Sequence, residues 1–209
     1  MTILAFEFSS ARRSAALARD GVVLAEAAET GGYRVTNAFG LAEQVLAEAK
    51  VSREEIEVIA VGLGPGSYTG IRAAIALAQG WQLARGTKLL GISSAECLAA
   101  QAQAENIFGR VNVVIDAQRG EFYLATWEIS ERTRQEISPL KITAAAEIAA
   151  LKSAGETCVG PELEPALFPS AAMLARLAAG RTDFFAGEKL APVYLRETAF
   201  VKAAAARNY

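Results

Sequence analysis

The chain has 209 residues, 52% of them hydrophobic, and a mean hydropathy of +0.22. A chain of this length and composition can bury a sizeable core, which excludes an intrinsically disordered protein. Its formal charge of −2 and its pI near 5.4 provide no global positive field that would attract nucleic acid. The sequence contains no histidine, which excludes Ser-His-Asp triads and removes the commonest metal ligand.

The first part of the chain predicts three antiparallel strands and a helix. Asp20-Gly21 is a strong hairpin signal between the second and third strands. Residues 37–50 carry Leu41 and Val45 on one face and acidic side chains on the other, which indicates an amphipathic helix. The strands are predicted at residues 2–8, 14–18 and 22–27.

Residues 59–83 are the most informative stretch of the sequence. An apolar, strand-like run ends at Gly64-Pro65-Gly66, and Ser67 or Thr69 then offers an N-cap for a helix. The N–H groups at such a helix start suit an anion or the oxygen atoms of a partner. Alternatively, the glycines only supply positive φ angles in a tight turn, and spacing alone favours this second interpretation. The candidate anion-binding residues are Gly64, Gly66, Ser67, Thr69 and Gly70.

The helix after this glycine elbow is apolar on every side, with Arg72 as its only charge over about four turns. A helix of this kind is expected to be buried all round. Two interpretations are open: the helix occupies the centre of a layered domain, or it packs on its own sheet and on a second protein. We expect Arg72 to pair with an acid of the same chain, ahead of a partner's carboxylate.

The second half of the chain predicts a similar order of elements. Cys97 and Cys158 lie in apolar surroundings without CxxC spacing, as in reduced core residues of a cytosolic protein. The N-terminus has no basic region typical of a signal peptide, and no apolar run is long enough to span a bilayer. Strands are predicted at residues 88–92, 111–115, 121–129, 137–142 and 158–159, a solvated loop at 130–136, and helices at 93–105, 144–151, 170–179 and in the tail.

Both halves begin with a strand, a polar turn and an antiparallel neighbour, and then add helices. This order predicts a duplicated α/β architecture, although the halves show no convincing sequence repeat. We place the N-terminal lobe at residues 1–105 and the C-terminal lobe at residues 106–209.

Four motifs, spread over most of the chain, carry a family resemblance. They are GPGSYTGIR at residues 64–72, GISS at 91–94, DAQRGEFY at 116–123 and PVYLR at 192–196. In this order they resemble the TsaB (YeaZ) family of the pathway that places threonylcarbamoyl on adenosine 37 of tRNA. The resemblance implies the actin/Hsp70/sugar-kinase (ASKHA, RNase H-like) fold, with two α/β lobes that each hold a mixed sheet with helices.

The resemblance also implies a function for the chain, that of a non-catalytic assembly subunit. Its implied partners are a TsaD-like catalytic subunit, a TsaE-like ATPase and a second copy of the chain, with tRNA bound only indirectly or within the complex. It implies that no cofactor is tightly bound and that ATP or ADP can bind at the subunit interface. It also implies a cytoplasmic location without membrane contact. The implied partner helices are residues 37–50 and 68–84, with contacts at Leu41, Val45, Tyr68, Ile71, Arg72, Ala74, Ile75 and Ala78.

The sequence also departs from the family and fold patterns. Proteins of this fold commonly place an Asp before a Ser/Thr-rich phosphate loop at the end of the first strand. The corresponding residues here are Glu7-Phe8-Ser9-Ser10, and we interpret them as a strand end that enters a hairpin rather than as a phosphate loop. TsaD-like enzymes hold their metal with a His pair, which this sequence lacks. Asp116 would face a phosphate or metal in kinases of this fold, but it is expected here to fix its turn. Tyr194 and Arg196 suit either RNA stacking or a half-buried strand.

Two further functions from other classes remain open. The first is a nucleotide-dependent phosphotransferase or ATPase acting alone, supported by Glu7, the glycine elbow and Asp116, and opposed by Phe8. The second is a glycopeptidase-like hydrolase using Ser67. No spacing in the sequence supplies that serine with a base.

Overall fold

The computed structural model of the chain describes residues 1–30 and 37–195. The predicted alanine-rich helix of the tail and the role considered for Arg196 lie outside the described residues.

A five-stranded sheet forms the first lobe, with strand order β3-β2-β1-β4-β5. Strands β1 (Thr2–Glu7), β2 (Arg12–Arg19) and β3 (Val22–Thr30) are antiparallel neighbours, which confirms the predicted hairpin. Strands β4 (Val58–Gly62) and β5 (Lys88–Ile92) extend the sheet in parallel to β1.

Side chains of β1 alternate between two apolar layers, as the period of a strand requires. Leu4 and Phe6 face helices α1 (Ala38–Ala49) and α2 (Tyr68–Arg85) on one side of the sheet. Ile3 and Ala5 face the opposite side, where helices α3 (Ser94–Ala104) and α5 (Ala171–Ala178) pack.

Helix α5 comes from the second half of the chain but packs on the first sheet. Ala16 and Ala18 of β2 lie in one apolar cluster with its buried residues. Two of its first N–H groups are bonded by that sheet: the N–H of Ala171 donates to Oγ of Ser14 at 2.8 Å, and that of Ala172 donates to Oε1 of Glu26 at 3.3 Å. The lobe boundary near residue 105 stays a prediction, and α5 crosses back over it.

The second lobe is a four-stranded sheet of order β8-β7-β6-β9. It consists of β6 (Gly109–Asp116), β7 (Glu121–Ile129), β8 (Arg134–Ala144) and β9 (Thr157–Val159), with β9 parallel to β6 and the others antiparallel. Helix α4 (Ala145–Ser153) packs on one face. Helix α3 packs on the other, so it lies between the two sheets.

The α/β fold class with two mixed sheets is therefore confirmed. One local prediction was wrong, because β8 begins at Arg134 inside the stretch expected to be a solvated loop. Its first three residues pair with Ile129, Glu128 and Trp127 of β7. A charged edge strand keeps its side chains in solvent, so charge alone did not distinguish it from a loop. Cys97 is buried as predicted, Cys158 is half-buried, and both are free thiols.

Within the described part of the chain, no helix combines the length and the apolar character needed to cross a membrane.

Candidate functional site

Helix α2 packs on the first sheet with one face and exposes the other. Its buried residues recur at helical spacing from Gly70 to Ala78. On the opposite side, Arg72, Ala76 and Gly80 are exposed, and Leu83 is 91% exposed. Of the two interpretations left open by the sequence, the structure excludes a helix buried on all sides.

The residues predicted to contact a partner are mostly in the wrong place for that role. Tyr68 and Arg72 are exposed. The other six side chains are at most 6% exposed, because they fill the core between the helices and the sheet. They stabilise the fold and are not available to a partner: Leu41, Val45, Ile71, Ala74, Ile75 and Ala78.

The outer surface of α1 and α2 instead contains an apolar groove of about 380 Å³. Phe39, which is 71% exposed, comes from the first turn of α1. Leu77 and Trp81 of α2 are half-buried side chains that also pack against the core. We call this site the helix groove, and its lining residues are Phe39, Glu43, Arg53, Ala76, Leu77, Gly80, Trp81, Ala84 and Arg85.

Charged side chains at the helix groove are already paired within the chain. Arg53 forms an ion pair with Glu43, and Arg85 pairs with Glu54 at 3.1 Å. An apolar centre with a polar rim is the usual anatomy of a protein interface. Small residues at a spacing of four on α2 allow a second helix to approach closely. The sequence held one signal for this surface: Arg72 marks the exposed face, and Ala76, Gly80 and Ala84 follow it at helical spacing.

Arg72 does not form the predicted ion pair with any described residue. Its Nη1 donates to the hydroxyl of Tyr68 at 2.8 Å, and its Cζ lies 5.2 Å from the centre of the Tyr68 ring. The Tyr68 ring also packs against Tyr194, with ring centres 5.6 Å apart.

The glycine elbow is anchored to the end of β1. The N–H of Ser67 donates to the carbonyl of Ser9 at 2.6 Å, and the N–H of Gly64 donates to Oγ of Ser94 at 3.2 Å. Gly66 has φ 144° and lies so close to Ser9 that a Cβ would be 2.2 Å from its carbonyl oxygen. The glycines therefore do supply positive φ and close approach, as the turn interpretation requires.

Glu7 lies beneath this elbow and is completely buried. Its carboxylate accepts hydrogen bonds from the N–H of Ser9 at 2.7 Å and from Oγ of Ser94 at 2.9 Å. Burial raises the pKa of Glu7, although these hydrogen bonds act in the opposite direction. Glu7 thus joins the end of β1 to the start of α3. Enclosed in this way, it cannot serve as the exposed acid of a phosphotransferase, so that alternative loses one of its supports.

A cleft of about 450 Å³ separates the two lobes. Its walls include Ser9, Ser67 and Thr69 from the first lobe and Asp116 and Glu162 from the second.

The acids of the cleft are tied into its wall. Asp116 accepts hydrogen bonds from both the backbone N–H and Nε2 of Gln118, each at 2.7 Å, which confirms that it fixes its turn. The N–H of Asp116 donates to Oε2 of Glu162 at 3.3 Å. Burial raises the pKa of Glu162, the hydrogen bond from the N–H of Asp116 acts to lower it, and the charge of Asp116 acts to raise it.

This cleft is a poor fit for the phosphates of a free nucleotide. Asp116 and Glu162 bring negative charge, and the described residues that line the cleft include no Lys or Arg. The N–H groups of Gly64, Ser67 and Gly70 are already bonded within the chain, the last to Oγ of Ser67. Ser67 thus acts as an N-cap, which gives no support to the hydrolase alternative.

Taken together, the two lobes, the cleft between them and the helix groove define an α/β protein of the actin/Hsp70 fold class with an exposed apolar groove on two of its helices. A model of the TsaD family, described as tRNA N6-adenosine threonylcarbamoyltransferase, matches residues 19–206. The chain belongs to this family.

Similar proteins agree with this assignment. The tRNA threonylcarbamoyladenosine biosynthesis protein TsaB of Escherichia coli K12 is 33% identical over 131 residues, which is 63% of this chain and 57% of that protein. TsaB of Bacillus subtilis 168 is 28% identical over 140 residues, covering 66% of this chain and 60% of the relative. The chain thus matches less than two thirds of the length of these relatives.

Solved structures match nearly the whole chain. YeaZ from Pseudomonas aeruginosa has a TM-score of 0.77 and 25% identity, covering 93% of this chain and 99% of that one. A protein described as similar to peptidase YEAZ from Pseudomonas aeruginosa has a TM-score of 0.78 with the same coverage and 24% identity. The likeness to the TsaB (YeaZ) family and the fold that it implies are confirmed.

Proposed function

We propose that this chain is a non-catalytic assembly subunit for formation of N6-threonylcarbamoyladenosine in tRNA. It works in the cytoplasm with a TsaD-like catalytic subunit, which docks on the helix groove. In the absence of that subunit, a second copy of the chain occupies the same surface. A TsaE-like ATPase completes the set of partners, and ATP or ADP binds at the subunit interface rather than in the inter-lobe cleft.

The helix groove is the observation that carries this proposal. Phe39 in its lining and Leu83 elsewhere on α2 are largely exposed, and exposed large apolar side chains favour a protein partner. The two TsaB relatives are named as proteins of threonylcarbamoyladenosine biosynthesis. The absence of histidine agrees with a subunit that leaves the metal and the chemistry to its partner.

The test is threonylcarbamoyladenosine formation on unmodified tRNA by the TsaD-like enzyme and its pathway partners, with and without this chain. A variant, Ala76→Arg, places an unpaired charge at the centre of the helix groove. We expect product formation to require the wild-type chain and binding of the TsaD-like subunit to weaken at least about tenfold in the variant.

Ala149→Arg is the matched control, because Ala149 is exposed on helix α4 of the other lobe. Both variants should show the wild-type circular dichroism spectrum, and only Ala76→Arg should lose activity. Full activity without the chain would refute the proposed function. Equal loss in both variants would refute the role of the groove.

A further inference from the structure

Tyr68, Arg72 and Tyr194 form a group of mutually contacting side chains on the surface, which we call the tyrosine platform. Tyr68 is the first residue of α2, and Arg72 follows one turn later. Tyr194 comes from the segment that follows α5. That segment is held to the first lobe because the N–H of Val193 donates to the carbonyl of Leu63 at 2.9 Å.

The side chains of the tyrosine platform contact one another but contribute little to the core. Tyr68 is 56% exposed and Tyr194 is 50% exposed, although their rings pack against each other at an angle of 32°. The guanidinium of Arg72 is held over the Tyr68 ring by its hydrogen bond to the hydroxyl. Because these side chains already contact one another in the free protein, they lose less conformational entropy when a ligand binds.

These three groups match the chemistry of single-stranded RNA. Exposed aromatic rings stack on nucleobases, and an arginine beside them contacts phosphate oxygens. No carboxylate of residues 1–30 or 37–195 forms an ion pair with Arg72, so its charge is available to a phosphate. The sequence immediately after the platform adds positive charge, with Arg196, Lys202 and Arg207 against a single acid, Glu197.

The position of the platform also determines where a phosphate can bind. Tyr68 lines the inter-lobe cleft, where Asp116 and Glu162 place negative charge, whereas Arg72 is not among the residues that line that cleft, so the phosphate is expected beside Arg72 and away from the cleft. A protein partner has the helix groove, which extends toward the other end of α2 as far as Arg85. Tyr68 lies about 12 Å along the helix before Ala76, the residue of α2 nearest to it in the lining of the groove.

We infer that the tyrosine platform is a contact site for single-stranded RNA, in which Tyr68 and Tyr194 stack on bases and Arg72 binds the adjoining phosphate. This inference deepens the proposed function, from which it takes RNA as the ligand class. It differs from the expectation that this chain contacts tRNA only indirectly, since it places a direct RNA contact on the chain itself.

The test uses fluorescence anisotropy of a labelled, single-stranded RNA of mixed sequence. The full chain is titrated alone and in complex with the TsaD-like subunit, at low and at physiological salt. Tyr194→Ala should weaken binding roughly 5- to 150-fold, the range found when a base-stacking side chain is truncated. Tyr194→Phe keeps the ring and should bind within about twofold of wild type.

Phe39→Ala is the matched control, because it truncates an exposed aromatic side chain in the helix groove. It should weaken binding of the TsaD-like subunit and leave the RNA affinity of the chain alone unchanged, whereas Tyr194→Ala should weaken RNA binding by the chain alone and leave binding of the TsaD-like subunit unchanged. The two proposals can therefore fail independently.

Three results would overturn the RNA site. The wild-type chain could fail to bind the RNA in both arms, or Tyr194→Ala could bind it as tightly as wild type. Alternatively, Tyr194→Ala could weaken only the TsaD-like subunit, which would assign the platform to the protein interface.

Discussion

Two glycines of α2, ten positions apart, test how closely this helix is packed at its two ends. At Gly70, a Cβ would lie 2.0 Å from the carbonyl oxygen of Phe8, whereas contacts below 3.0 Å essentially never occur. Backbone would therefore have to move by about 1 Å. At Gly80, nothing lies within 4 Å of the added Cβ.

The same substitution should thus have opposite effects on the free energy of unfolding. Overpacking costs about 1–3 kcal/mol, and the upper end applies because the obstacle is backbone. Alanine gains about 1 kcal/mol over glycine in a helix. We expect Gly70→Ala to destabilise the protein by about 2 kcal/mol and Gly80→Ala to stabilise it by about 1 kcal/mol.

Urea unfolding followed by circular dichroism measures both changes in the free energy of unfolding. In thermal unfolding of a chain of this length, Tm should fall by about 4–8 °C in Gly70→Ala and rise by about 2–4 °C in Gly80→Ala. If Gly70→Ala proves as stable as Gly80→Ala, the close packing of α2 on the end of β1 is wrong.

Two other predictions concern buried ionisable groups. The pKa of Glu7 is raised above 4.5 in the folded state. As pH rises, Glu7 therefore loses its proton at a lower pH in the unfolded chain than in the folded protein. The free energy of unfolding then decreases as pH rises from about 4.5 through the folded pKa. Glu7→Gln stays neutral, so urea midpoints across pH should show its stability increasing relative to wild type over this window; a constant difference would contradict the buried carboxyl. Burial also raises the pKa of both thiols, more strongly at the fully buried Cys97 than at Cys158. Iodoacetamide should therefore modify Cys158 before Cys97 in the native protein, and both at similar rates in urea. Mass spectrometry of digested samples measures the order of modification. Modification of Cys97 before Cys158 in the native protein would contradict its burial.

Most of the secondary structure could be predicted from local sequence. Strand and turn signals such as Asp20-Gly21 act over a few residues, so they located the first sheet without knowledge of the tertiary structure. The four family motifs supplied the fold class, which hydrophobic pattern alone left at a general α/β architecture.

The faces of α2 could not be predicted in the same way. Ala74 and Ala78 are buried while Ala76 is exposed, yet the three side chains are identical. Alanine carries too little hydrophobic signal to show which side of a helix meets the sheet. For this reason six of the predicted contact side chains proved to be buried, and among the side chains of this helix only the charge of Arg72 had indicated the exposed face.

Contacts between distant parts of the chain also left no local signal. Tyr68 and Tyr194 meet because the final segment returns to β4, and neither residue's neighbours in sequence indicate the other. The turn role of Asp116 could be predicted, because an Asp bonds N–H groups close to it in sequence.

Because α5 packs on the first sheet, the first lobe can complete its folding only late in synthesis on the ribosome. The first sheet and helices α1 and α2 emerge early, but one apolar face of the sheet, including Ile3 and Ala5, is covered only in part, by α3, until residues 171–178 follow. The nascent first lobe thus exposes a hydrophobic surface while the whole second sheet is being synthesised. Completion of its core is a late, non-local event, and a fragment ending before α5 would expose that surface permanently.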